Sequence, residues 1–155
     1  MPILNFALIL VFVFSGLFAG AFLAYNSPEE MKTGRRYFQL MQKIILVIVS
    51  LIVIRSLGLP AAVSLILYAA AILAFSLVKV KTTYTYPLLG AVLFYFYMKD
   101  AFLAMAGLAF LYGFPSGSLF VIMSKDKLNK TIAKITAYHS GFFIAPALIY
   151  LLSAL

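Results

Sequence analysis

Long apolar segments, separated by short stretches that hold nearly all of the charge, leave this chain few ways to fold. Apolar residues make up 65% of its 155 positions, and charged residues make up only 10%. Helices built from such segments would offer no polar face to water, so the pattern excludes a soluble domain. A membrane-spanning helix needs about 20 apolar residues, and several segments approach that length. The sequence therefore predicts an all-α, polytopic membrane helix bundle that forms a single transmembrane domain over residues 1–155.

Six apolar segments follow one another along the chain, at residues 3–25, 37–57, 60–78, 84–98, 101–123 and 131–155. The fourth is short for a span, but tyrosines bracket it, as is typical of a span anchored at headgroup level at both ends: Tyr84, Tyr86, Tyr95 and Tyr97. A single helix over residues 84–112 is rejected, because residues 118–123 would be too few to cross back. We therefore expect about six transmembrane helices.

Two local motifs refine these boundaries. Ser27 and Pro28 have the residue types of an N-cap and a first helical position, and they predict a short interfacial helical turn that ends at Gly34. Residues 113–117 of the fifth segment read Gly-Phe-Pro-Ser-Gly. Because Pro115 lacks an N–H and its ring clashes with the preceding turn, we expect the fifth helix to be kinked or broken between Gly113 and Gly117.

The basic residues are divided unequally between the two ends of the predicted bundle. One end holds only Arg55 and Lys99, and the other holds Lys32, Arg35, Arg36, Lys43, Lys79, Lys81, Lys125, Lys127, Lys130 and Lys134. The positive-inside rule predicts that the second end faces the cytoplasm and that both termini of this multi-pass cell-membrane protein lie outside. The net charge of +8 is then explained by orientation and by anionic lipid headgroups at the basic inner face, and nucleic-acid binding is not expected.

The scarcity of certain side chains excludes several kinds of site. The chain has no cysteine and one histidine, so neither a metal site nor a cofactor is expected. Its acidic residues all lie at segment ends: Glu29, Glu30, Asp100 and Asp126. Proton relays, sodium sites and two-aspartate intramembrane proteases need carboxylates inside the bilayer. The shortage of acids therefore favours an anionic or neutral ligand over a metal cation.

Small residues recur at four-residue spacing in two segments. Gly16, Gly20 and Ala24 form one row, and Gly113 and Gly117 belong to another that begins at Ala109. Such rows let two helix backbones approach closely in lipid. They predict either contact within the bundle or an interface with a second copy or a partner membrane subunit. Contact within the bundle is preferred, because six helices in one chain must pack against one another.

Polar residues from three segments are predicted to share one depth. With a rise of about 1.5 Å per residue, Lys43, Ser116 and His139 fall roughly 9–12 Å from the basic ends of their helices. A polar helix face is costly against lipid, so these side chains should face the bundle or a wet cavity. With their polar neighbours, they give the predicted ligand-binding set Gln39, Gln42, Lys43, Ser116, Ser118, His139 and Ser140.

The functional interpretation follows from this layer. A transporter, or a component of a transporter or channel, for a small anionic or neutral solute is preferred, because broken helices at polar layers recur in transporter sites. Ser116 and His139 are the candidate catalytic pair of an alternative, an intramembrane serine hydrolase. A non-catalytic assembly subunit of a membrane complex is the third interpretation.

Overall fold

The computed structural model describes residues 3–77, 81–124 and 128–153, and within these ranges the chain is helical with no strand. The helices are α1 (Ile3–Asn26), α2 (Pro28–Ser56), α3 (Ala61–Leu77), α4 (Thr82–Phe96), α5 (Phe102–Ser124), α6 (Leu128–His139) and α7 (Gly141–Ser153). Four stretches are long and apolar enough to cross a membrane: Leu4–Asn26, Thr33–Ser56, Phe102–Ser124 and Leu128–Leu152. The protein is therefore an all-α membrane helix bundle, as the sequence predicts.

The start of α2 differs from the expectation. The helix begins with Pro28 at its first turn and continues through Gly34 to Ser56, so the predicted stop at Gly34 is wrong. A glycine in a helix interior costs about 1 kcal/mol relative to alanine, a cost that a helix of 29 residues can absorb. Ser27 occupies the N-cap position, but its side chain makes no capping hydrogen bond.

The structure has an interruption in the sixth segment that the sequence did not predict. The sequence predicts that the fifth helix is either kinked or broken near Pro115. It is not broken, because α5 continues through Pro115 as one α-helix. The last span is interrupted at Ser140, whose carbonyl accepts hydrogen bonds from the N–H groups of Phe143 and Ile144. Proline is tolerated inside membrane helices where neighbouring helices pack around the distorted turn.

The centre of the bundle is the contact between α1 and α5. Gly16 and Gly20 lie against the backbone carbonyls of Phe110 and Phe114, while Gly113 and Gly117 lie against the backbone of α1. A side chain at any of these four glycines would overlap backbone atoms of the opposite helix. Ala24 is buried as well. Packing within the chain therefore accounts for both rows of small residues.

A second close contact joins α4 to α7. Gly90 lies against the carbonyl oxygen of Phe142, which has no helical partner because Pro146, four residues later, lacks an N–H. Gly141, next to the interruption, lies against the ring of Pro87. This contact holds the interrupted span in place, so α4 and α7 form the second half of the core.

Helices α3 and α4, which are both shorter than a usual span, extend between the same two ends of the bundle. Helix α3 packs mainly against α2 and has no buried residue, and its last turn reaches Lys43. Helix α4 begins beside the basic end of α5. At the opposite end its Phe94 ring meets the ring of Phe6, at the start of α1, with centroids 5.8 Å apart. Both helices therefore follow the length of the bundle despite having only 17 and 15 residues.

Candidate functional site

A pocket of about 490 Å³ opens at the basic end of the bundle, the end that carries Arg36, Lys43, Lys81 and Lys130. Its walls come from α2, the start of α4 and the last turns of α5. The lining residues are Gln39, Gln42, Lys43, Lys81, Thr82, Thr83, Tyr84, Ser116, Leu119, Phe120 and Met123. We call this space the basic pocket. It is polar on the sides formed by α2 and α4, and apolar on the side formed by α5 except at Ser116.

The basic pocket is positively charged. Lys43 and Lys81 both line it, and none of the residues that the structure places along its walls is acidic. The first turn of α4, at Thr82 and Thr83, adds backbone N–H groups that lack a partner within the helix. The first turn of a helix also carries a partial positive charge. These features together favour a negatively charged ligand.

Lys43 has a structural contact in addition to its place in the pocket. Its ammonium donates a hydrogen bond to the carbonyl oxygen of Ser76, with the two atoms 2.8 Å apart. Ser76 lies in the last turn of α3, where carbonyl groups lack helical partners and favour a cation. Lys43 therefore joins α3 to α2 while its side chain borders the pocket.

The inner wall of the basic pocket is a buried hydrogen bond between α2 and α5. The Gln42 amide donates to the Ser116 hydroxyl at 2.9 Å, and both side chains are buried. The Ser116 hydroxyl in turn donates to the carbonyl oxygen of Tyr112 at 2.7 Å. The single hydroxyl proton of Ser116 is used in that bond. Toward a ligand in the pocket, the Ser116 hydroxyl can therefore act only as a hydrogen-bond acceptor.

The predicted ligand-binding residues divide into two groups. Gln39, Gln42, Lys43 and Ser116 line the basic pocket, whereas Ser118, His139 and Ser140 do not. The Ser118 hydroxyl donates to the carbonyl of Gly20 in α1 at 2.9 Å, and the Ser140 hydroxyl donates to the carbonyl of Ala137 at 3.0 Å. Residues two apart on a helix point in nearly opposite directions, so a shared depth does not bring Ser116 and Ser118 into one site.

His139 lies among aromatic rings and does not line the basic pocket. Its ring meets those of Tyr86 and Phe120, with centroids 4.8 Å and 5.9 Å away. Nδ1 lies 2.9 Å from the carbonyl oxygen of Ile135. No hydrogen bond joins His139 to Ser116, whose hydroxyl bonds to Gln42 and Tyr112. The serine–histidine pair of the hydrolase interpretation is therefore not formed in this structure.

Two buried tyrosines lie next to each other here, and one of them, Tyr86, contacts this histidine. Tyr86 and Tyr112 are fully buried, and the Tyr112 hydroxyl lies 2.7 Å from the hydroxyl of Thr85. The Tyr86 ring lies 5.6 Å from the ring of Tyr112, centroid to centroid, and its buried hydroxyl has no hydrogen-bond partner among the described residues. We call Tyr86, Tyr112 and His139 the aromatic cluster.

Sequence reasoning placed Tyr86 at the headgroup level and so did not find the aromatic cluster. Tyr84 and Tyr86 are two positions apart, so on a helix they face different sides. Tyr84 is exposed and lines the basic pocket, whereas Tyr86 points into the bundle. That spacing was the signal that one of the two tyrosines is internal.

A second pocket, of about 560 Å³, lies toward the opposite end between α1, α4 and α7. Its lining is almost entirely apolar, and Tyr97 and Tyr150 contribute the only hydroxyl groups among the residues assigned to it. An apolar groove between spanning helices is what acyl chains meet in a bilayer. The basic pocket is therefore the better candidate for specific recognition.

Comparison with known proteins gives no match: no family model, no curated protein and no solved structure is significantly similar to this chain.

Proposed function

We propose that this integral membrane protein binds a small anionic solute in the basic pocket and serves as a transporter, or as the membrane component of one. The observation that carries the proposal is the pairing of Lys43 with Lys81 around a cavity of about 490 Å³ whose described lining holds no carboxylate. Two ammonium groups and the first turn of α4 attract an anion, whereas a metal cation would find no ligand of opposite charge.

The arrangement also favours an anion over a neutral solute. Lysines are strongly hydrated and flexible, so they usually extend into water or toward headgroups. Here Lys43 instead reaches back to the Ser76 carbonyl, and Lys81 lines the same pocket from the N-cap of α4. An anion between them would be attracted from both sides, while Gln39 and Thr83 offer further polar contacts.

The topology we propose has six crossings, with the basic end in the cytoplasm and both termini outside. The number of crossings is supported by α3 and α4, since the last turn of α3 meets Lys43 and the start of α4 lines the same pocket. The orientation is supported by the excess of lysine and arginine at that end. The basic pocket would then be filled from the cytoplasm, and the same basic face would contact anionic headgroups.

The experiment is a comparison of anion binding and flux after reconstitution. Purified protein in lipid vesicles is tested for uptake of radiolabelled inorganic phosphate and of chloride, with sodium as the cation control. Equilibrium binding of phosphate is measured on the same preparations. We expect saturable anion binding that falls about tenfold in Lys43→Gln and in Lys81→Gln, because each loses one charge-assisted contact.

The matched control is Lys130→Gln. It removes one positive charge from the same end of the protein, but Lys130 does not line the basic pocket. A general effect of surface charge would weaken binding equally in all three variants, and that result would contradict the proposed site. Uptake of sodium in preference to both anions would contradict the proposed solute class.

A further inference from the structure

The basic pocket has an apolar wall that an inorganic ion does not need. Lys43 and Lys81 line it from α2 and from the start of α4, whereas the lining from α5 includes Leu119, Phe120 and Met123, which carry no charge and no hydrogen-bond donor. A water molecule takes about 30 Å³ in the liquid, so an anion of five heavy atoms fills roughly a third of this cavity of about 490 Å³. The space that remains borders the apolar wall and favours a ligand with an apolar part next to its anionic group.

The bundle leaves the basic pocket open between α2 and α4. Both helices pack against α5, but within the described residues neither α2 nor α3 makes an extended contact with α4. No described residue of α3 lines the pocket. Near the opposite end of the bundle α2 and α4 do approach each other, since the hydroxyl groups of Ser56 and Tyr95 are 3.5 Å apart. We call the space between α2 and α4, from the basic pocket to Ser56 and Tyr95, the α2–α4 groove.

One face of α4 borders this groove. Tyr84 lines the basic pocket, Tyr95 lies about three turns later at the contact with α2, and Leu88 lies on the same face between them. All three side chains are exposed, Leu88 to 60%. From Tyr84 to Tyr95 the helix rises about 16 Å, close to half of a hydrocarbon core that is about 30 Å thick. The α2–α4 groove therefore has the length of one leaflet and is accessible to lipid.

The charges of the basic pocket lie where a lipid places its head. The Lys43 ammonium reaches the carbonyl of Ser76 in the last turn of α3, and Lys81 is the N-cap of α4, so both belong to the basic ends of their helices. Along α5, the lining runs from Met123 near the helix end to Ser116, a rise of about 10 Å. The pocket thus continues from the level of the headgroups to that of the first methylene groups of an acyl chain.

We propose that the ligand of the basic pocket is a membrane lipid whose head is a phosphate monoester, and that it enters sideways through the α2–α4 groove. The inference rests on the proposed function and names the class of its anionic solute. The two lysines and the N–H groups of the first turn of α4 donate to the phosphate oxygens, and the acyl chain follows Leu119 and Met123 into the groove beside Leu88.

The charge of the pocket decides between kinds of lipid head. A phosphate monoester carries nearly two negative charges at neutral pH and leaves its outer oxygens open to both Lys43 and Lys81. A phosphatidylcholine head would bring a quaternary ammonium group into a pocket whose described lining is already positive and holds no carboxylate. Phosphatidic acid and phosphatidylcholine with identical acyl chains therefore form a matched pair of probes.

The first test is photolabelling in nanodiscs of phosphatidylcholine. The two probes carry the same diazirine-containing acyl chain, and labelled peptides are quantified by mass spectrometry. We expect phosphatidic acid to label α4 and the last turns of α5 along the groove, and this labelling to fall about tenfold in Lys43→Gln and in Lys81→Gln. Phosphatidylcholine should label the exposed faces of the helices to the same extent in wild type and variants. Lys130→Gln, outside the pocket, should behave like wild type with both probes.

The second test separates the contribution of the tail from that of the head. Displacement of radiolabelled inorganic phosphate from the purified protein is measured with hexyl phosphate, unlabelled inorganic phosphate and hexanol. Hexyl phosphate should act at about a hundredfold lower concentration than inorganic phosphate, because each buried methylene group strengthens binding up to about fourfold, and hexanol should not displace the label. Met123→Gln should reduce the advantage of hexyl phosphate about fourfold. Met98→Gln is the matched control, because Met98 is an equally accessible methionine at the opposite end of the bundle.

These measurements distinguish the lipid ligand from the proposed function. If inorganic phosphate binds in a lysine-dependent way but hexyl phosphate binds no more tightly, the lipid ligand is wrong and the proposed anion site stands. Equal binding of hexyl phosphate to wild type, Lys43→Gln and Lys81→Gln would show adsorption to apolar surface only, which also overturns the inference. Labelling of the groove to the same extent by both lipid probes would show ordinary contact with the bilayer and overturn it as well. If no phosphate compound binds in a lysine-dependent way, the proposed function and this inference fail together.

Discussion

At the scale of single residues, two glycines of α5 differ in whether the packing of the bundle requires them. Gly117 of α5 lies against the backbone of Leu17 and Ala21, and a Cβ atom there would overlap both. Gly107, on the same helix, has no atom within 4 Å of the position that a Cβ would take. The close approach of α1 and α5 therefore depends on Gly117 and not on Gly107.

The first prediction compares alanine at these two glycines. Gly117→Ala should lower the free energy of unfolding in mild detergent by about 2–3 kcal/mol, because the opposing atoms are backbone and cannot move aside. Gly107→Ala should leave it unchanged or raise it by up to about 1 kcal/mol through helix propensity. Both values follow from reversible denaturation monitored by circular dichroism. Equal stabilities would mean that α1 and α5 do not pack as described.

Residue identity and spacing predict the level of a polar side chain along its helix but not the direction in which it points. Gln42 and Ser116 were predicted at neighbouring levels, and they meet in a hydrogen bond. Ser118 and His139 were predicted at comparable depths, yet one donates to the backbone of α1 and the other lies among aromatic rings. The direction of a side chain depends on the rotation of its helix within the bundle. That rotation is set by packing between distant segments, which a single sequence does not specify.

At the scale of helices, the apolar segments and their boundaries could be predicted well, because the length of a spanning helix and the charges that end it are local properties. The interruption of the last span at Ser140 could not be predicted in this way. Pro115 was expected to kink or break α5, and the helix continues through it, with Gly113 and Gly117 packed against the backbone of α1. Near the interruption at Ser140, Gly141 lies against Pro87, and Phe142 and Pro146 lie against Gly90 of α4. Those contacts join residues some fifty positions apart in sequence.

A prediction at this scale concerns α3, which packs mainly against α2 and buries none of its residues. The hydrogen bond from Lys43 to the Ser76 carbonyl joins its last turn to α2. Lys43→Gln should therefore speed amide hydrogen exchange in the last turns of α3 about fivefold, which corresponds to the loss of about 1 kcal/mol of local stability. Exchange in α1 and α5 should not change.

Mass spectrometry of protein in nanodiscs measures this exchange peptide by peptide. Lys130→Gln serves as the control, because it removes the same charge from the same end without touching α3. Faster exchange in all helices of Lys43→Gln would show that the substitution loosens the whole bundle. Unchanged exchange in α3 would show that the Lys43–Ser76 hydrogen bond contributes nothing to its attachment.

At the scale of the whole molecule, the six-crossing topology that we propose depends on α3 and α4, which have 17 and 15 residues. Four stretches are long enough to span by themselves, and a protein with only those crossings would place the start of α4 at the same end as Asp100. The contacts of Lys43 with Ser76, and of the first turn of α4 with the basic pocket, instead place that start beside Met123. Tilt of the long spans and local thinning of the bilayer can accommodate helices of 17 and 15 residues.

The last prediction tests this threading with single cysteines, which the chain permits because it has none of its own. Asp100→Cys, Thr83→Cys and Asn129→Cys replace exposed residues at the two ends of the bundle. In intact cells, a membrane-impermeant maleimide should label Asp100→Cys alone, and the other two should react only after the membrane is permeabilised. With four crossings, Thr83→Cys would react together with Asp100→Cys. With the opposite orientation, Thr83→Cys and Asn129→Cys would react first, and the basic pocket would then take its anion from outside the cell.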